Sequence, residues 1–486
     1  VTKSGTHHIR DTGPERTLLL VVADGVRHDV LLEEIEAGHA PALAALSARG
    51  GYHQVATCFP SVTGPGYVPF LTGRFPAAVG VPGLRWFDRE RKVGLWPAHS
   101  RSYAGVDIWH LDADLQRDVP TLFDLARPSL ACMSMLGRGA QKHFGRSLAS
   151  MARVAPGHFR GDLEAWRRYE QRATRAFLRE FERHRPQFAT LAVTSPDKRA
   201  HKEGPFSAGV RNGIIDIDAA VAHAVEIAER GGWREQLDVW VVGDHGHDPV
   251  SKHEDLHGWL ETRGLHVRAH PQVFKRRADV ALMVGGNAMA HLYLDPGTPS
   301  RSHWPALAGK WESLHDALLA RESVGLLGVS LAPDRVRVAS AANGAAEIHQ
   351  RGTGRSACWD YVTTAGDPLQ IGGTRRNLDY AAAYAVCATT DYPDAIVQLP
   401  ALLNAPRSGD IVVSAAQHWD LRSRFEPVAH VSTHGALLRD QMMVPLIVDR
   451  AVARPPLRTA DVMPSALHAL GLPIPDGLDG EDFLEP

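Results

Sequence analysis

The chain has 486 residues, with 53 Lys and Arg against 55 Asp and Glu and a formal charge of −2. Its 44 % hydrophobic and 22 % charged content supports a large buried core and excludes an intrinsically disordered chain. The balanced charge, with no basic stripe, excludes capture of nucleic acid polymers, and no run reaches the roughly 18 apolar residues of a membrane-spanning helix. The four cysteines, Cys58, Cys132, Cys358 and Cys387, are far apart and form no CxxC pair, so they read as buried thiols rather than a disulfide framework. The opening stretch lacks the charged, apolar, small order of a secretion signal, and the expected location is the cytoplasm.

In chain order, the first predicted element is Thr17–Ala23, a leucine and valine run with no polar alternation. Such a run suits a strand buried on both faces of a parallel sheet. It ends in Asp24-Gly25, and a helical pattern follows from about Asp29. Helical spacing returns over Leu163–Arg185, before a second apolar run, Phe188–Val193, which ends in Thr-Ser-Pro-Asp. Another helical pattern, Ile214–Arg230, precedes the run Leu237–Val242, which ends in Gly-Asp-His-Gly, and a fourth run is Met443–Val448. Strands alternating with helices predict an α/β protein, a three-layer α/β/α sandwich around a mostly parallel sheet. Arg85–Arg160 and Glu254–Arg424 fit this rhythm less well and read as insertions forming a cap or substrate wall. Residues 1–253 and 425–486 are then the catalytic core and 254–424 the cap, with Gly352–Asp379 expected to be loop.

Ligands of open α/β sheets gather outside the carboxyl ends of the strands. Three of these strands end in Asp or Asp-His at that edge. Asp197 and His201 stand four apart, a spacing that puts both on one face of a helical turn. Asp244 and His245 are adjacent, so their side chains diverge and suit two different ions. With Asp24 and with His434 of the THG segment, six carboxylates and imidazoles are available, about what two divalent cations roughly 4 Å apart need.

The order of these segments resembles the nucleotide pyrophosphatase/phosphodiesterase family of the alkaline phosphatase superfamily. The elements that carry the resemblance are Asp24-Gly25, the Thr63 segment, Asp197 through His201 with Lys202-Glu203-Gly204-Pro205, Asp244-His245-Gly246 and Thr433-His434-Gly435. The closing RTADVMPSALHALGLPIPDGLDG is similar as well. The resemblance implies one metal position at Asp197, His201 and His434 and another at Asp24, Asp244 and His245, with Thr63 bridging toward the metal. Zinc suits such mixed ligands, and manganese or iron fits them too. His430 competes with His434, which is preferred because Gly435 follows it.

The same resemblance supplies a ruler for the nucleophile. In sulfatases and phosphodiesterases of this superfamily it precedes the Thr of a Leu-Thr-Gly element by nine residues. That element is Leu71-Thr72-Gly73, and nine residues before Thr72 is Thr63, whereas Cys58 is fourteen and Ser61 eleven before it. Val62 also stands where a sulfatase would need Arg. Thr63 is therefore the expected nucleophile, forming a phospho-threonine intermediate. Two departures bear on substrate binding. Leu84 stands where relatives often carry a phosphoryl-binding Asn, leaving Arg85 or Arg74 as substitutes, and Gly64 replaces a bulkier residue on the floor of the site. His247, His253 and His257 are expected at the surface, Trp86 and Trp96 in cap packing, and Asn287 and His291 away from the site.

The implied function is a metal-dependent phosphodiesterase acting on a small phosphate ester. The alternatives are a phosphomonoesterase or a phosphonoacetate-type C–P hydrolase on the same site. A non-enzyme alternative is an inactive metal-binding relative, which the cost of burying unpaired carboxylates opposes.

Overall fold

A computed structural model describes residues 14–90, 99–104, 106–147, 161–272, 275, 277–425 and 429–485. The four apolar runs enter one seven-stranded sheet, in the order Tyr52–Ala56, Met443–Ile447, Leu237–Gly243, Thr17–Ala23, Phe188–Val193, Ser129–Cys132, Lys142–Phe144. Thr17–Ala23 lies at its centre, parallel to Phe188–Val193 through Leu18↔Phe188 and to Leu237–Gly243 through Thr17↔Leu237. Met443–Ile447 runs antiparallel to both of its neighbours.

Alternation along the central strand builds both outer layers. Leu18, Leu20 and Val22 face a core with Tyr67, Phe70, Phe123 and Leu467, whose helices are Tyr67–Thr72, Leu122–Leu125 and Val462–Ala469. Leu19, Val21 and Ala23 face the opposite way, onto Leu31, Leu43, Phe177, Ile214 and Val221 of helices His28–Glu36, Pro41–Gly50, Leu163–His184 and Ala208–Arg230. All seven residues of the strand are buried, which is why the run carries no polar alternation. The result is a three-layer α/β/α sandwich.

A second, nine-stranded sheet, antiparallel except for the pair Val267–Ala269 and Val280–Gly285, occupies 267–415. Its core packs helices Trp304–Leu319, Tyr380–Cys387 and Ala395–Leu403. The expectation of loop over Gly352–Asp379 is corrected here, since Cys358–Thr363 and Arg375–Leu378 are paired strands of this sheet. Trp359 and Tyr361 are buried while Thr363, Arg375, Arg376 and Asn377 are not, so the segment is a half-solvated edge whose glycines and polar residues read as loop. Trp96 lies outside the described residues.

Candidate metal centre and active site

Every group of the site hangs from the carboxyl edge of the seven-stranded sheet. Asp24 follows the central strand and Asp244 follows Leu237–Gly243. Asp197 and His201 lie one turn apart on helix Ser195–Glu203, which begins after Phe188–Val193. His434 follows the short strand Ser432–Thr433, which pairs with Asp248–Pro249 and brings the late segment beside His245 and His247. Gly25 is required in this arrangement. Its φ is +68°, and a Cβ there would stand 2.7 Å from Asp197 Cβ.

The side chains form two groups of metal-ligating atoms. One is Asp197, His201, His247 and His434, the other Asp24, Asp244 and His245, and within each group the ligand atoms lie within 4.8 Å of one another. Thr63 is in the turn before helix Tyr67–Thr72, and its Oγ1 lies 2.8 Å from His245 Nε2. The other candidate hydroxyls and the thiol are engaged elsewhere. Thr57 Oγ1 donates to Asp244 O, Ser61 Oγ to Ala436 O, and buried Cys58 Sγ lies 3.7 Å from Pro60 O.

Each imidazole is fixed through its other nitrogen. Nδ1 lies 3.1 Å from Ser432 O for His201, 3.1 Å from Gly246 O for His245 and 3.0 Å from Ser61 O for His434. A carbonyl oxygen only accepts, so the proton sits on Nδ1 and each Nε2 presents a lone pair, the form a metal ligand takes. The carboxylates are held as well. Asp244 Oδ1 accepts from the backbone N–H of Gly25 and His245, and Asp24 Oδ2 from Tyr67 Oη. Asp24 Oδ1 and Asp244 Oδ2 are buried with no hydrogen-bond partner.

Charge follows from this crowding. Burial, then the Asp244 and Asp197 charges, push the Asp24 carboxyl well above the usual carboxylate range. Burial pushes Asp244 up too. At Asp197 the same burial is outweighed by His201 and Lys198, which hold its carboxyl well below that range. Burial, followed by the neighbouring His245, His201 and His247, keeps His434 neutral well below the ordinary histidine range. Buried carboxylates with orphaned oxygens, facing imidazole lone pairs, fit divalent cations and little else.

The remaining expected residues fall as follows. Leu84 is buried beside Gly64, whose φ is +96°. Arg85 turns away, donating from Nη1 to Val284 O and lining a recess with His270 and Arg422. Arg74 pairs with Asp479. His291 is buried between Pro82 O and Gly409 N, and Trp86 donates to Tyr103 Oη. Asn287 borders the site, bridging by its backbone to His434 and donating from Nδ2 toward Asp420 and His430. His430 packs against His201 at a tilt, with ring centres 4.3 Å apart.

Three readings are corrected, the first being Asn287, expected away from the site and found bordering it. His247, expected at the surface, is fully buried inside the first group, and His257 is buried against Arg424. Only His253 of the three is exposed. No local spacing pointed to His247, because its place depends on the pairing of Ser432–Thr433 with Asp248–Pro249. Lys198, passed over in the sequence, stands with Nζ 3.3 Å from Asp197 Oδ2 and is a cation beside the site.

A mostly parallel sheet with two metal-ligating groups and a threonine hydroxyl at its carboxyl edge defines the class. A family profile for type I phosphodiesterase / nucleotide pyrophosphatase matches residues 18–323, and the chain belongs to that family. It is 23 % identical over 245 residues to human ectonucleotide pyrophosphatase/phosphodiesterase family member 7, covering 50 % of each chain. Over 67 residues it is 36 % identical to rat family member 3, covering 14 % of this chain and 8 % of that protein. The chain thus spans half the length of the first of these curated relatives and far less of the second. Among solved structures, inactive murine ectonucleotide pyrophosphatase/phosphodiesterase 5 in complex with AMP superimposes with a TM-score of 0.55 at 14 % identity, over 95 % of this chain and 96 % of that one. Phosphonoacetate hydrolase from Sinorhizobium meliloti 1021 with phosphonoacetate gives 0.56 at 15 %, over 94 % and 96 %. These likenesses share the fold.

Proposed function

We propose that this protein is a metal-dependent phosphohydrolase, a phosphodiesterase of the nucleotide pyrophosphatase type working through a phospho-threonine at Thr63. The observation that carries the reading is Thr63 Oγ1 at 2.8 Å from His245 Nε2, at the edge of the Asp24, Asp244 and His245 group. Those three residues would hold one ion, and Asp197, His201 and His434 another. Zinc suits this donor set. When bound, the two cations supply charge neutralisation at the attacking and leaving oxygens of an in-line displacement.

The chain's own residues do the rest. His245 is oriented by its Nδ1–H on Gly246 O, so that its Nε2, 2.8 Å from Thr63 Oγ1, would share one ion with that hydroxyl, whose proton would be lost to water. Thr63 Oγ1 forms the new bond to phosphorus as the ester oxygen leaves, and water then cleaves the phospho-threonine and frees Thr63. Two inversions give net retention at phosphorus. The leaving group departs on the side of Asp197, His201 and His434, where Asn287 and His430 of the neighbouring segments form a wall.

Lys198 favours a second reading. A cation beside Asp197 offsets the extra charge of a phosphate monoester or a phosphonate. The likeness to phosphonoacetate hydrolase keeps C–P cleavage within the same alternative. Metal content and hydrolysis of bis-p-nitrophenyl phosphate and p-nitrophenyl phosphate, on wild type and Thr63→Ala, test both. The diesterase reading expects about two ions, preference for the diester, and a loss of at least about 10³-fold with Thr63→Ala while the ions stay bound. Preference for the monoester replaces it with the second reading. Full activity of Thr63→Ala with ions bound removes the nucleophile.

A further inference from the structure

The two metal-ligating groups are unequal, and His247 is the reason. It is fully buried, its Nε2 lies 3.1 Å from Asp197 Oδ1, and its Nδ1 lies 3.1 Å from Ser432 Oγ. Ser432 Oγ has one proton and gives it to Ala200 O, 2.6 Å away. It therefore accepts from His247, which places the imidazole proton on Nδ1 and a lone pair on Nε2. His201 and His434 are fixed the same way by Ser432 O and Ser61 O. Three imidazole lone pairs thus converge on one carboxylate oxygen, Asp197 Oδ1, at 3.1 Å for His247, 3.3 Å for His201 and 3.7 Å for His434. A cation at the centre satisfies all of these acceptors at once.

Ring spacing points to the same centre. With metal–nitrogen bonds of about 2.0–2.1 Å, neighbouring donors of a tetrahedral ion stand about 3.3 Å apart and the centres of its imidazoles roughly 5 Å apart. The ring centres of His201 and His247 are 4.8 Å apart, those of His247 and His434 5.1 Å, and those of His201 and His434 5.0 Å. His245 breaks the pattern. It stacks on His434 at 3.7 Å, stands 5.5 Å from His247, and belongs with Asp24 and Asp244.

We propose that His247 is a fourth protein ligand of the histidine-rich metal position, which therefore has a complete tetrahedral protein shell while the Asp24, Asp244 and His245 position keeps one place open beside Thr63. The inference rests on the two-metal reading of the site given above. Four protein donors hold an ion tightly, and it would meet the leaving oxygen only by expanding to five ligands, whereas a position with three protein donors keeps a place open and exchanges its ion more readily. The first ion is then retained when the second is stripped.

The test counts ligands without using activity. Protein labelled with ¹⁵N in the histidine rings is loaded with two equivalents of ¹¹³Cd²⁺, and one-bond ¹⁵N–¹¹³Cd coupling is recorded at each Nε2. Four coupled histidines are expected in the wild type, and His247→Gln removes one of them. Three coupled histidines in the wild type, all surviving in His247→Gln, overturn the proposal and leave His247 as a hydrogen-bond partner of Asp197. The wild-type count stands even where the variant fails to fold. Chelator competition on the wild type reads the consequence. Two ions leaving in separate phases are expected, and two leaving in one phase count against unequal shells. Hydrolysis of bis-p-nitrophenyl phosphate by the zinc-loaded wild type is scored separately. Four coupled histidines without hydrolysis keep this inference and remove the phosphohydrolase reading, hydrolysis with three does the reverse, and no coupling at all removes both.

Discussion

Buried carboxylates are treated differently around the two sheets. Beside the nine-stranded sheet they have protein partners. Asp410 accepts from Arg89 Nη2 at 2.6 Å and from Leu294 N at 2.7 Å, and Glu254 Oε2 accepts from Arg321 and from Ser323 Oγ. Around the seven-stranded sheet, Asp24 Oδ1, Asp244 Oδ2 and both oxygens of Asp449 have no hydrogen-bond partner. Native interiors rarely leave such atoms unpaired, so two orphaned carboxylate oxygens facing imidazoles at one strand edge call for a cation. At the carboxyl edge of the first sheet, cations would complete the unpaired carboxylate oxygens, whereas Asp410 and Glu254 beside the second are completed within the chain.

The largest effect expected from this contrast is at Asp24. Asp24→Asn removes an anionic donor, and kcat/KM should fall by about 10³-fold or more with loss of one ion. Stability of the metal-free protein should move the other way. Burial and the neighbouring carboxylates push the Asp24 carboxyl well up, so its ionised form opposes folding when no cation is bound, and the amide relieves this by about 1–3 kcal/mol. Urea unfolding of chelator-treated protein checks it, and a metal-free variant less stable than wild type would mean that Asp24 is already satisfied within the chain.

Ile348→Ala probes the other sheet. Ile348 is fully buried on Gly344–Arg351 within the second core, and truncation should cost about 2–5 kcal/mol. Metal content and kcat per folded molecule should stay at wild-type values. A variant that loses an ion would show that the second sheet holds the site as well as walling it.

What the sequence disclosed divides along the same line. Leu18 through Ala23 and Val239 through Val242 are buried on both faces, so their apolar runs are unbroken and the chemistry follows at the carboxyl end of each. The second sheet is antiparallel and partly solvated. Arg335–Ser340 buries Val336 and Val338 beside exposed Arg335 and half-buried Arg337, a strand-like alternation too short to fix a fold, and Arg375–Leu378, which pairs with Cys358–Thr363, is itself polar. Asp24, Asp197, His201, Asp244, His245 and His434 were legible because motif spacing survives translation into geometry. The place of His247 depended on the antiparallel bridge Thr433↔Asp248, which brings Ser432 against it, and Lys198 was hidden by its neighbours in a charged helix.

The smallest effect concerns Asp449, the orphan at the wrong end. Asp449 pairs in register toward Val239, because Ile447 lies opposite Val241, so it sits at the amino edge of the parallel strands, away from Asp24 and Asp244. Burial, then the Asp238 charge, push its carboxyl up to about 6, and Arg234 Nη2 stands 3.7 Å from Oδ2. The folded value lies above the unfolded one of about 3.9, so the folded chain binds this proton more tightly. The cost of ionising it is fully present above pH 6 and fades as the pH falls through 6 toward 4. Asp449→Asn should therefore be more stable than wild type by about 1–3 kcal/mol at pH 7–8, with the advantage shrinking toward pH 4. Its metal content and turnover should be unchanged. Urea denaturation across that range reads the difference. A constant difference would mean that arginines satisfy the carboxylate. An ion lost on mutation would mean that this orphan, too, waits for a cation.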